Sequence, residues 1–174
     1  MKKKTFYTEL AYIIGLTLLA LSAALMEKAD FGLSMVVAPA YLLHLKISQY
    51  LPFFTFGMAE YTFQAVVLVI MIIAIRKFKL SYLFSFVTAV LYGLILDFMI
   101  MLVGFVPSEG IVMRLVLYIL GLVGCASGVS LLFHTYISPE VYELFVKEVS
   151  KLLGININRF KTIYDCTSCV VAIV

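Results

Sequence analysis

The sequence predicts an all-α protein, a polytopic bundle of transmembrane helices with an inverted three-span repeat whose second copy is truncated. Three observations lead there. The 174 residues are 64% hydrophobic and 13% charged, with a mean hydropathy of +1.10; a soluble domain runs near 45–50% apolar and about 25% charged. A chain this small cannot hide so much apolar surface from water, so its solvent is lipid. Four apolar runs reach the roughly 20 residues that a crossing helix needs. Finally, Tyr12-Ile13-Ile14-Gly15-Leu16 returns as Tyr118-Ile119-Leu120-Gly121-Leu122.

The first run extends from Leu10 to Met26 and is closed by Glu27 and Lys28. Its basic start resembles a signal peptide, but Glu27, Lys28 and Asp30 follow without a small-residue cleavage site, so a retained signal-anchor is expected. A linker from Gly32 to Tyr50 follows, with a helix start at Pro39; Met35, Val36, Val37, Leu42, Leu43 and Leu45 make it apolar enough to dip into the bilayer. The second run, Phe54 to Ile75, ends at Arg76. The third, Leu80 to Val106, is stopped by Pro107, Ser108, Glu109 and Gly110. The fourth, Ile111 to Phe133, ends near His134.

The next linker, Ser138 to Leu153, reads as an amphipathic helix. Ser138 suits the N-cap, Pro139 the first helical position and Glu140 the first turn. Val141, Leu144, Phe145, Val149, Leu152 and Leu153 recur at helical spacing, with Glu143, Lys147 and Lys151 on other faces. A helix of this length lies on the membrane surface or folds back as a re-entrant segment. A fifth apolar run begins near Ile163 and continues to Val174, too short to cross.

Orientation follows from charge. Lys2–Lys4, the Arg76–Lys79 cluster and the cluster of Lys147, Lys151, Arg159 and Lys161 fall on one side of a four-span topology. The positive-inside rule makes that side cytoplasmic, together with the amino terminus. The protein is therefore expected to be a multi-pass membrane protein with its amino terminus on the cytoplasmic side. The net charge of +3 is not gathered into a nucleic-acid footprint. Tyrosine, eleven in all with no tryptophan, takes the interfacial role.

The repeat orders its features alike in both copies: apolar string, proline-started helix (Pro39, Pro139), then an acid at the mouth of the next run (Glu60, Asp165). Residues 1–110 form the first unit of three spans plus a short helix. Residues 111–174 form the second, with one full span, the amphipathic helix and the start of a fifth span. Units with an odd number of spans lie in opposite directions in the bilayer, the architecture of many secondary transporters. The absence of a sixth span leads to the expectation of a truncated sequence, or of a partner subunit or second copy supplying the missing helices.

The Phe31-Gly32-Leu33-Ser34 turn, the Thr55-Phe56-Gly57 start of the second run and the Tyr164-Asp165-Cys166-Thr167-Ser168-Cys169 segment resemble the bacterial YitT/YczE-type multi-pass membrane proteins. The resemblance covers most of the chain. It implies a small inner-membrane protein of transporter-like type with no settled substrate, and it supplies no catalytic residues. Members of that type have more spans than this chain.

Charged side chains within a bilayer are costly, by about 2.5–3.5 kcal/mol on insertion scales, and by default mark function. Asp97 lies well inside the third run, with no basic residue one turn away, and is a candidate proton- or cation-coupling carboxylate; a protonated acid bonded between helices is the structural alternative. Glu60 and Asp165 occupy matching repeat positions and are candidate acids on two faces of an alternating-access path, or acids favoured by helix N-termini. Gln64 lies one turn beyond Glu60 and completes a polar patch. Gly121, Gly124 and Gly128 give the fourth run a small-residue face for helix packing.

Cys166 and Cys169 form a C-x-x-C pair with redox or soft-metal chemistry as one reading and small-residue packing as the other. Cys125 reads as a packing residue, and His134 as a helix C-terminal cap. There is no Gly-rich phosphate loop, H-E-x-x-H or G-x-S-x-G, so neither an enzyme nor an ATP-driven pump is expected from this chain alone, and no cofactor or metal is assigned. The leading expectation is a secondary transporter, or the membrane half of one, for a small cationic or polar solute. The alternatives are a membrane accessory or scaffold protein that binds a partner through its small-residue helices, and a membrane thiol protein using Cys166 and Cys169.

Overall fold

The computed structural model describes residues 3–133, 135 and 140–173, with side chains described for residues 8–132, 135 and 140–170. Among the described residues seven helices follow in order: α1 Lys3–Ala29, α2 Ala38–Ser48, α3 Phe56–Ile75, α4 Leu80–Gly104, α5 Ile111–Phe133, α6 Val141–Leu153 and α7 Ile157–Ile173. Four of them contain stretches long and apolar enough to cross a membrane: Thr8–Ala29, Phe56–Ile75, Leu80–Gly104 and Ile111–Leu132. Their apolar side chains face outward in quantity, as lipid requires: Ile73, Leu94, Phe98 and Val123 are all more than half exposed.

The chain divides into two compact units, each drawing on residues from both sides of the expected boundary at residue 110. The first unit contains residues 1–33 and 94–137. Its organising contact is α1 against α5. Small residues permit it. A Cβ at Gly128 would stand 3.0 Å from the Gly15 carbonyl oxygen and 3.1 Å from the Leu19 nitrogen. A Cβ at Gly15 would meet the Gly128 carbonyl oxygen at 3.2 Å, and one at Gly121 would meet the Ser22 carbonyl oxygen at 3.1 Å. Ala20, Ala24 and Ala29 are fully buried. Backbones this close gain dispersion contacts, the main attraction between helices in lipid.

One end of this pair is pinned by Arg114. Its Nε donates to the Ala29 carbonyl at 2.8 Å, and its Nη2 donates to the Asp30 carboxylate at 2.8 Å. The guanidinium also covers the Phe31 ring at 5.1 Å. Arg114 thereby supplies a donor to a carbonyl that the end of α1 leaves without a helical partner.

The second unit contains residues 34–93 and 138–174. Within it α2 packs on α3, α6 on α7, α3 on α6 and α2 on α7. Thr55 caps α3, its side chain accepting the Met58 N–H at 3.2 Å. Arg76 closes the helix in the left-handed region at φ 52°. The apolar core joins Val67, Leu68 and Met71 of α3, Tyr82 and Ala89 of α4, and Val141, Tyr142 and Leu144 of α6. Gly93 lets α4 approach α3, since a Cβ there would lie 2.7 Å from the Gly57 carbonyl oxygen. Glu148 of α6 binds Lys79 at 3.1 Å and accepts the Tyr82 hydroxyl at 3.1 Å.

Several expectations need correction. Glu140 is the N-cap residue of α6 and makes no side-chain capping bond, rather than lying in its first turn; Ser138 and Pro139 lie outside the described residues. The buried face of α6 is Val141, Tyr142, Leu144, Val146 and Ser150, whereas Leu152 and Leu153 are more than half exposed. α6 thus packs into the second unit through Val141 and Leu144 of the expected stripe, joined by Tyr142, Val146 and Ser150. Finally, α7 starts at Ile157, ahead of the expected Ile163, with the Asn156 side chain accepting the Asn158 N–H at 2.9 Å. Asp165, Cys166 and Cys169 are therefore well inside a helix rather than at its N-terminus.

Candidate functional site

The described residues place a buried polar cluster in the second unit, around Gln64. Glu60 and Gln64 lie one turn apart on α3, and both have 0% exposure. The Gln64 amide is used at both ends. Its Nε2 donates to Glu60 Oε1 at 3.2 Å and reaches Glu140 Oε2 at 3.5 Å. Its Oε1 accepts the backbone N–H of Val141 at 3.1 Å. An amide suits this position because it alone among neutral side chains presents two donor hydrogens and a carbonyl acceptor in one plane.

The outer oxygens of the cluster are unsatisfied. Glu60 Oε2, Glu140 Oε1 and the Tyr142 hydroxyl are buried with no hydrogen-bond partner among the described residues. The Tyr142 hydroxyl is near enough to the Glu60 carboxyl to interact electrostatically, without the geometry of a hydrogen bond. Buried polar atoms are nearly always paired, so three orphans in one cluster are informative.

Burial, then the negative charges of Glu60 and Glu143, hold the Glu140 carboxyl up at about 8, against the lowering influence of the Gln64 hydrogen bond. Burial likewise pushes the Tyr142 phenol well above its usual value, with Glu60 adding to the effect. Two carboxyls separated by one amide in a low-dielectric setting cannot both ionise cheaply.

α7 brings Asp165 into the same unit as Glu60. Asp165 Oδ1 is buried without a hydrogen-bond partner. The Tyr164 phenol lies within electrostatic range of both Glu60 and Asp165. A further orphan, the Oγ of Ser85 on α4, is fully buried in this unit.

The remaining candidates lie elsewhere. Asp97 belongs to the first unit, on α4, and is partly exposed. Gly121, Gly124 and Gly128 all face α1: the positions a Cβ would take are met by Met26 and Ser22, by Ser22 and Leu18, and by Gly15 and Leu19 respectively. Cys125, Cys166 and Cys169 form no disulfide, and Cys166 is exposed. Cys166 and Cys169 lie within α7, away from the helix start on which the redox reading rested. Among the described residues no group of three His, Cys, Asp or Glu side chains is placed to hold a metal. His134 lies outside the described residues.

The sequence reading found Glu60 and Gln64 but missed Glu140 and Tyr142 as their partners. Glu140 had been read only as an acid favoured by a helix dipole, and Tyr142 not at all. A signal was present: Tyr142 lies three residues before Phe145 and seven before Val149, at the helical spacing of the expected apolar stripe.

Residues 6–174 match the model of a family of unknown function, DUF6198. No curated protein and no solved structure gives a significant match.

Proposed function

The chain is a membrane-spanning helical protein of the DUF6198 family, whose function is unknown, and from that premise we propose that it is a secondary transporter, or the membrane half of one, for a small cationic or polar solute. The observation that carries the reading is the buried Glu60–Gln64–Glu140 cluster with its unpartnered carboxyl oxygens. Evolutionarily inert packing has no use for two carboxyls in an apolar core. A site that takes and releases a positive charge does, because the charge compensates the acids only while it is bound.

Contacts that an inverted repeat would produce support the reading. Exchanging α2 with α6 and α3 with α7 maps the packing of the second unit onto itself: α2 on α3 becomes α6 on α7, and α3 on α6 becomes α7 on α2. The first unit behaves alike. With Tyr12 aligned to Tyr118, the approach of Gly15 to Gly128 and Leu132 becomes that of Gly121 to Ser22 and Met26, and both sets are present. Reciprocal contacts of this kind are the mark of two-fold symmetry, and two-fold-related repeats with half-crossing helices are a transporter architecture. The resemblance to YitT/YczE-type proteins points to the same class. An inner-membrane location with a cytoplasmic amino terminus follows from the basic clusters and is part of this proposal.

The test is solute flux. Purified full chain in proteoliposomes is offered a panel of radiolabelled small amines, amino acids and polyols. Wild type accumulates at least one of them, Glu60→Gln loses accumulation, and Asp97→Asn reports whether a second acid takes part. The accessory-protein reading is less favoured, since the glycine face of α5 is used against α1 within the chain. It predicts no flux and a co-purifying complex that Gly128→Leu disrupts.

A further inference from the structure

We infer that the ion exchanged at this site is a proton, shared by the carboxyls of Glu60 and Glu140 across the Gln64 amide. The inference rests on the transport reading only for the use made of the proton; its residence at the site stands on the geometry.

The donor set excludes the alternatives. A hard metal cation takes about six or more oxygens. This cluster offers Glu60 Oε2, Glu140 Oε1 and the Tyr142 hydroxyl. The two inner carboxyl oxygens are engaged by the Gln64 Nε2, and the Gln64 carbonyl oxygen is engaged by the Val141 N–H. That N–H also belongs to the first residue of α6, whose positive end disfavours a bound cation. A proton needs only one carboxyl oxygen. It leaves the pair with a single negative charge, which the Gln64 amide and the end of α6 can hold.

The charges around the pair agree. α3 contributes Glu60 and Tyr61, and α4 contributes Tyr82 to the core that Tyr142 shares. α6 contributes Glu140, Tyr142 and Glu143, with Lys147 further along. From α7 come Tyr164 and Asp165, while Lys161 interacts with Glu143. From α2 come Tyr41, Lys46 and His44, whose Nδ1 is 2.9 Å from the Phe54 carbonyl oxygen. The charges acting on Glu140 are those of Glu60 and Glu143, both acidic. Among the described residues no cationic side chain acts on Glu140, so the second carboxyl keeps its proton. Release breaks the carboxyl O–H bond and passes the proton to water on the open side; rebinding from the other side reverses the step.

The experiment is infrared difference spectroscopy on the purified full chain in lipid nanodiscs, titrated from mildly acidic to alkaline pH. Wild type should show the carbonyl stretch of a protonated carboxyl at neutral pH, lost on alkalinisation and unchanged when sodium or lithium replaces choline as the buffer cation. Glu60→Gln and Glu140→Gln should each remove that band, and Glu60→Asp should retain it at a shifted frequency. Circular dichroism and gel filtration confirm that each variant is folded. A band absent from wild type at neutrality overturns the inference. So does a band that persists in both glutamine variants, or one displaced by sodium or lithium together with a rise in thermal midpoint. If the band behaves as expected while no solute moves in proteoliposomes, the transport reading fails and the proton site stands.

Discussion

Gln64 on α3 accepts the backbone N–H of Val141 on α6 at 3.1 Å, so one buried amide ties the start of α6 to a membrane-spanning helix while donating toward two carboxyls. Gln64→Leu would orphan the Val141 N–H and remove the donor of both acids. Each unsatisfied buried group costs about 1–3 kcal/mol, so this variant should lose more stability than the single bond suggests. Gln64→Asn, one methylene shorter, should recover little. Thermal unfolding in detergent measures both.

Stability should depend on pH through Glu140. Its folded value of about 8 lies above the ordinary 4.5, so between those values the folded protein holds a proton that the unfolded chain has released. The stabilisation is complete below about 4.5 and is lost as pH rises through about 8. Thermal midpoints should fall across that window, and Glu140→Gln should flatten the slope. An unchanged slope in the variant would remove Glu140 as its source.

Alanine substitutions at glycine should rank by what the new methyl group meets. Gly128→Ala in the first unit and Gly93→Ala in the second press on backbone atoms, at 3.0 Å from Gly15 O and 2.7 Å from Gly57 O. Neither neighbour can rotate away, so each should cost about 1–3 kcal/mol. Gly124→Ala meets the Ser22 side chain, which can turn aside, and should cost less. Gly104→Ala meets nothing within 4 Å and should be neutral or mildly stabilising, as expected for a helical glycine. Thermal midpoints of the four variants check the order.

Glu148→Ala should destabilise the second unit more than Lys79→Met. Lys79 is an exposed partner, and ion pairs of that kind contribute little. Tyr82, 1% exposed, loses the acceptor of its hydroxyl when Glu148 is removed. High salt should diminish the Lys79 effect and leave the Tyr82 effect. Cys166→Ser and Cys169→Ser should leave folding and flux unchanged.

The spans were readable because hydropathy alone determines them: Phe56–Ile75 and Leu80–Gly104 end near the Arg76 cluster and Pro107, where apolar character stops. Glu60 and Gln64 were readable as a pair because helical spacing puts them on one face. Their partner was not, because Glu140 comes from 76 positions away and its approach depends on how α6 packs. The start of α7 was missed because hydropathy was used where capping decides. Asn156 satisfies an early N–H and starts the helix through the polar residues Asn158, Arg159 and Lys161. That shift moved Cys166 and Cys169 from a reactive helix end to an ordinary helix interior.

The measurement that bears most directly on the central claim is solute-induced charge movement. Proteoliposomes containing the full chain are adsorbed on a solid-supported membrane and exposed to the same solute panel, with wild type and Glu60→Gln prepared in parallel. The account predicts a transient current in wild type for at least one small cationic or polar solute, and its loss in folded Glu60→Gln. Equal currents in the two proteins would contradict it, as would silence in both across the whole panel.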